Sequence, residues 1–94
     1  MDTNLLGLMI DVARHGSFAG AARQHRLDPS SISRTVAQVE AELGFRIFQR
    51  TTRSMSLTEA GRLYLGKVEA VLQELDAAAE EAGALHAAPK AGFG

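Results

Sequence analysis

Apolar residues recur along this chain in three short helical stripes, one alternating stretch and one long stripe, with glycine, proline or capping residues at the breaks. Leu5, Leu8, Met9 and Val12 share one side of a helix predicted over about residues 3 to 15, where His15 and Gly16 supply a basic last turn and a residue suited to the left-handed conformation. Ser17 is placed to cap a second helix, in which Phe18, Ala21, Ala22 and His25 lie on one face and the run Ala19 to Ala22 permits close crossing. Asp28 before Pro29 marks the start of a third helix, because a carboxylate can accept free backbone N–H groups and proline needs none at the first helical position. Ile32, Val36, Val39 and Leu43 then step by helical spacing until Gly44. Beyond it, Phe45, Ile47, Met55 and Leu57 flank a polar tip, which predicts a short hairpin with strands at about 46–49 and 54–57. Thr58 caps a long helix expected to reach about Ala88, just ahead of Pro89.

The predicted architecture is mainly α: a winged helix-turn-helix made of three helices and a β-hairpin over residues 1–57, a linker helix over 58–88 and a flexible tail over 89–94. Ninety-four residues suffice for one small domain with a thin core. The chain has no cysteine, which excludes disulfides and thiolate zinc sites. Its three histidines, His15, His25 and His86, have no carboxylate at ligating spacing, so neither a metal nor a cofactor is expected. No apolar run is long enough to predict a membrane span, and no signal-peptide pattern opens the chain. Phosphate-binding loops, zincin motifs and nucleophile elbows are missing from the sequence, which argues against an enzyme.

The formal net charge of −1 conceals an uneven distribution. Arg14, Arg23, Arg26, Arg34, Arg46, Arg50 and Arg53 face only Asp28, Glu40 and Glu42 in the same stretch, whereas the long helix is rich in Glu and Asp. Arginine is the cation whose planar fork suits phosphate and guanine. With the third helix's core stripe turned inward, 100° per residue places Ser30, Arg34, Ala37, Gln38 and Ala41 on the outer side, and Glu40 and Glu42 project sideways. Small residues around one Arg and one Gln let a backbone approach base edges, with Arg forking onto guanine and Gln onto adenine. Pro29 and Ser30 open that helix at a terminus that favours phosphate. At the hairpin, Arg50 and Arg53 bracket a tip containing Thr52, a combination suited to phosphates or a narrow minor groove. Double-stranded DNA is the partner these features point to. The alternative is a winged-helix module for protein–protein interaction, since the same geometry also serves protein contacts.

Several spaced elements occur in order: Ser17-Phe18-x-x-Ala21-Ala22-Arg23, then Leu27-x-x-Ser30-x-Ile32-Ser33-Arg34, then Leu43-Gly44-x-x-Ile47-Phe48-x-Arg50-x-x-Arg53-x-x-x-Leu57-Thr58-x-Ala60-Gly61. Over about residues 4 to 88 the chain resembles the N-terminal DNA-binding domain of LysR-type transcriptional regulators. The resemblance implies a bacterial, cytoplasmic, nucleoid-associated protein that binds DNA sequence-specifically. It further implies the third helix in the major groove, the wing arginines near the minor groove and a linker helix that pairs two protomers antiparallel. Ser33, Arg34, Arg50 and Arg53 match the family's DNA-facing positions. Many members have Gln followed by Pro where this chain has Pro29 and Ser30, so one frequent base-reading side chain is missing. His25 takes a position usually given to a core leucine and is expected to be partly buried and hydrogen-bonded. Family members are about three times longer and carry a C-terminal effector-binding domain, so no response to a small-molecule effector is expected from these residues.

Independently of any family, Tyr64, Val68, Val71, Leu75, Ala78, Ala82 and Leu85 alternate four- and three-residue steps, the seam of a coiled-coil-like partner helix. A homodimer through residues 64–85 is therefore expected.

Overall fold

The computed structural model describes residues 2–50 and 55–91, residues 87–91 by their backbone alone. Its elements run α1 (Thr3–His15), α2 (Phe18–His25), α3 (Pro29–Leu43), β1 (Phe48–Arg50), β2 (Met55–Leu57) and α4 (Glu59–Ala91). Local chemistry sets the helix ends. The Asp2 carboxylate accepts from the Asn4 N–H at 2.9 Å, and Ser17 Oγ accepts from the Gly20 N–H at 3.0 Å. Gly16 and Gly44, at φ 70 and φ 83, close α1 and α3 in the left-handed region. Arg26 takes the same role after α2 at φ 57, where a side chain is tolerated at some cost.

Asp28 departs from its expected role, because its side chain makes no capping bond. Proline at the first helical position offers no N–H, and the Asp28 carbonyl accepts from Ser31 at 3.0 Å and Ile32 at 3.3 Å, so the helix starts on backbone bonds.

Met9 and Val12 from α1, Ala21 and Ala22 from α2, Ile32, Val36 and Val39 from α3, Ile47 and Phe48 at the wing and Leu65 from α4 form an entirely apolar core. The alanines of α2 let it lie close to its neighbours, as its small-residue run implied. His25, at the end of α2, donates from Nε2 to Asp11 Oδ2 of α1 at 2.8 Å with its ring about one-third exposed. Arg14 of α1 pairs with Glu69 of α4.

Strand β1 starts two residues later than predicted, and the strands pair antiparallel with Phe48 opposite Leu57, Gln49 opposite Ser56 and Arg50 opposite Met55. Residues 46 and 47 are not part of the ladder because their backbone groups are otherwise engaged. Thr58 Oγ1 donates to the Arg46 carbonyl at 2.6 Å, and the Thr58 N–H donates to the Ile47 carbonyl at 2.9 Å. Residue 54, placed in the second strand by the sequence reading, lies outside the described residues.

Helix α4 extends to Ala91, past the predicted end at Ala88 and through Pro89. Proline forfeits one backbone bond, but its fixed φ is itself helical, so a long helix can carry it near its end. Part of the predicted tail is thus helical, and residues 92–94 lie outside the described residues. At 33 residues α4 spans about 50 Å, and its N-terminal part, as far as Leu72, packs on the domain core.

The fit of α4 against the wing depends on Gly61. It is buried, and a Cβ added there would stand 2.2 Å from the Ile47 carbonyl oxygen and 2.8 Å from Ile47 Cα. Both obstacles are backbone, so relief requires the helix and the wing to separate. Gly61→Ala is expected to cost about 3 kcal/mol, at the upper end for overpacking, and to lower the thermal midpoint by about 10 °C or more at fixed protein concentration. A midpoint unchanged in circular dichroism melts would show that this contact is not tight.

Candidate nucleic-acid interface

Helix α3 turns Ile32, Val36 and Val39 into the core and leaves Pro29, Ser30, Arg34, Ala37, Gln38 and Ala41 exposed. Four-residue spacing sorts the outer positions into two neighbouring rows, Ser30–Arg34–Gln38 and Ser33–Ala37–Ala41. Neither row contains an acid. Arg34 extends from the first, its guanidinium 3.4 Å from Ser31 Oγ. The second row, in which Ser33 is half-buried, borders a cleft between α3 and the wing. Ala37, Glu40, Ala41, Gly44, Phe45, Arg46 and Arg50 line its outer part. Short side chains on the helix side, and two arginines on the other against the single largely buried acid Glu40 beside Arg46, give a concave surface of net positive charge open to a polyanion.

The wing is aimed by Glu40. Its carboxylate, with a side chain only 12% exposed, accepts from the Ile47 N–H at 2.7 Å and the Phe48 N–H at 3.1 Å. Arg46 Nε lies 3.4 Å from its other oxygen. Charge-assisted bonds of this kind are the stronger class, and two of them hold the backbone at the start of β1 against the C-terminal half of α3. Helical periodicity directs Glu40 sideways, as it does Glu42. Glu42 is exposed, whereas Glu40 turns to the wing because two backbone donors there need acceptors. The signal available in the sequence was a single acid three residues before Leu43-Gly44, where the chain leaves the helix.

Arg50 at the end of β1 carries its guanidinium carbon 5.1 Å from the centroid of the Phe18 ring. Phe18 packs edge-on to Phe48, with centroids 6.4 Å apart and planes at 88°. The helical period places Phe18 on the packing face of α2, and the structure adds its contact with a wing arginine. Thr52 and Arg53 lie outside the described residues.

The predicted seam of α4 divides in two. Tyr64 and Val68 are half-buried against the chain's own core, with Tyr64 edge-on to Phe45 at 5.7 Å. Farther along, Val71, Leu75 and Leu85 are 64%, 57% and 76% exposed, and Ala78 and Ala82 are exposed between them. Among the described residues no helix is long and apolar enough to cross a membrane.

Comparison with known proteins agrees with this geometry. Residues 3–62 match the family described as bacterial regulatory helix-turn-helix protein, lysR family. The chain is 40% identical over 85 residues to the HTH-type transcriptional regulator CrgA of Neisseria meningitidis, covering 90% of this chain and 28% of that protein. It is 39% identical over 84 residues to the HTH-type transcriptional activator AaeR of Escherichia coli K12, covering 89% of this chain and 27% of that one. The chain thus spans little more than a quarter of the length of these relatives. Among solved structures, a CbnR DBD–DNA complex superposes with a TM-score of 0.83 at 28% identity, covering 92% of this chain and 99% of that one. The fold recurs in a BenM DBD–DNA complex, with a TM-score of 0.88 at 22% identity over 94% of this chain and 95% of that one. The chain belongs to the LysR family of bacterial regulatory helix-turn-helix proteins.

Proposed function

We propose that this chain is the DNA-binding domain of a LysR-type transcriptional regulator, working on chromosomal DNA in the bacterial cytoplasm. It binds double-stranded DNA sequence-specifically, with α3 in the major groove, the wing arginines at phosphates and the minor groove, and α4 joining two copies. The observation that carries this reading is the acid-free pair of rows on α3, Ser30–Arg34–Gln38 and Ser33–Ala37–Ala41, bordered by Arg46 and Arg50. A helix can enter the groove only where its own side chains are short, and here the long polar ones are an arginine and a glutamine, the types that fork onto guanine and adenine. Support also comes from the relatives, which are transcriptional regulators, and from the CbnR structure, which holds DNA.

The dimer follows from the exposed part of α4. Burying Val71 and Leu75 contributes about 1.5–3 kcal/mol each, and the repulsion between two acidic helices is screened within about 8 Å at physiological salt. Association therefore wins, and two α3 helices meet two related half-sites on one face of the duplex.

If Arg34, Arg50 and Arg53 each approach the DNA in both protomers, about six contacts form, and log affinity falls against log salt with a slope of about −5. Fluorescence anisotropy across a salt series measures this, and a flat dependence would favour a protein-interaction module instead. Arg53→Ala is expected to weaken binding to all duplexes and to reduce the slope, whereas Gln38→Ala and Ser33→Ala change preference among sequences more than overall affinity. Equal losses on specific and random duplexes for all three variants would contradict that division. Leu75→Glu is expected to give a monomer in analytical ultracentrifugation and to lower affinity for a paired site by about 100-fold, because linked modules gain from effective concentration. A variant that stays dimeric would remove α4 as the dimer contact.

A further inference from the structure

Arg50 is held at the α3 cleft by an aromatic ring. Its guanidinium carbon sits 5.1 Å from the centroid of Phe18, and among the described residues no carboxylate pairs with it. The ring is itself fixed on two sides. Its backbone begins α2 directly after the Ser17 cap, and its edge-on contact with Phe48 at 88° sets the plane that Arg50 meets. Phe48 is 2% exposed and its N–H is bonded to Glu40, so this reference plane is tied to α3.

We infer that Phe18 is a positioning residue for DNA binding. Its π face holds the Arg50 guanidinium beside Ser33 and Ala37 so that the cation meets a backbone phosphate flanking the groove that α3 enters. The inference rests on the DNA-binding reading above and adds to it a residue on a different helix, which acts through Arg50. The physical argument concerns what kind of partner leaves arginine functional. A carboxylate would occupy the N–H donors that a phosphate needs and would cancel the charge. An aromatic face attracts the cation through its quadrupole and consumes neither. An arginine on a short hairpin otherwise samples many rotamers and loses that freedom on binding, and the stack removes part of the loss beforehand. The contact also couples the wing to α2, so the cation moves with the helix-turn-helix rather than with the hairpin alone.

The test compares Phe18→Leu, which keeps an apolar side chain but loses the ring, with Phe18→Tyr, which keeps the ring, each alone and combined with Arg50→Ala. Affinity is measured by anisotropy on a labelled duplex of about 30 base pairs, long enough for two half-sites. Phe18→Leu is expected to weaken binding about two- to five-fold per half-site, the range of an exposed cation–π contact, while Phe18→Tyr stays close to wild type. In the Arg50→Ala background Phe18→Leu is expected to have no further effect, since the partner is already gone. Equal losses from Phe18→Leu in both backgrounds would mean that the ring acts only through the fold, and would overturn the inference. So would an Arg50→Ala variant that binds as well as wild type. Proton NMR of the free protein supplies a readout without DNA: the Arg50 side-chain protons are expected upfield in wild type and Phe18→Tyr, and at ordinary positions in Phe18→Leu. Unshifted Arg50 protons in wild type would overturn the stack itself. A wild-type chain with the shift but without duplex binding would remove the DNA-binding reading and the role given to Phe18, and would leave the stack as structure alone.

Discussion

The backbone of Ile47 is the point on which the arrangement depends. Its N–H is taken by Glu40 of α3, its carbonyl by the N–H of Thr58, and its carbonyl oxygen fills the space that a side chain at Gly61 would need. Its own side chain is fully buried. One residue thus ties together the helix that presents the polar rows, the hairpin beside it and the long helix that leaves the domain. A domain of this size has little core with which to hold three elements in register, and short charge-assisted or backbone bonds at a junction do so without requiring more apolar volume. The pitch of the wing against α3 and the exit direction of α4 are consequences of the same few bonds.

This junction separates structural from functional side chains. Among the described residues the core is wholly apolar, and three acids are engaged: Glu40 is turned into the junction, and Asp11 and Glu69 are bonded to His25 and Arg14 on the side where α1 meets α2 and α4, while Asp28 and Glu42 stay exposed at the two ends of α3. Most of the acidic surplus lies on α4. The net charge of −1 therefore says little about the surface that meets a partner, because what counts is the field near α3 and the wing. The same separation is seen along α4, where Leu65 completes the domain core at 4% exposure and Leu75, ten positions on, is left uncovered.

Helix positions were legible in the sequence because their determinants are local. Ser17, Gly16 and Gly44 act within a few residues of themselves, and the stripes of α1 and α3 need only the helical period. The order of elements and the outer face of α3 followed from these alone. What was not legible depends on partners distant in sequence or on choices that the period does not make. Strand β1 starts later than its apolar residues suggest, since Arg46 and Ile47 satisfy their backbone groups at Glu40 and Thr58. Helical period gives the direction in which Glu40 leaves the axis, not the backbone donors waiting beside it. Phe18 belonged to a plausible packing face, and only the register of β1 brings Arg50 over its ring. At Asp28 the residue type permitted a cap that the backbone made unnecessary.

In the proposed function, a pre-set α3 and wing repeated in two copies joined through α4 would leave its geometry on the DNA it prefers. Selection of bound duplexes from a random pool, carried out with the chain at micromolar concentration and moderate salt, measures this directly. The account predicts enrichment of two related half-sites in inverted orientation, their centres separated by whole turns of about 10 base pairs. A pool that remains random after repeated rounds, or that yields single sites without a partner at fixed spacing, would contradict it.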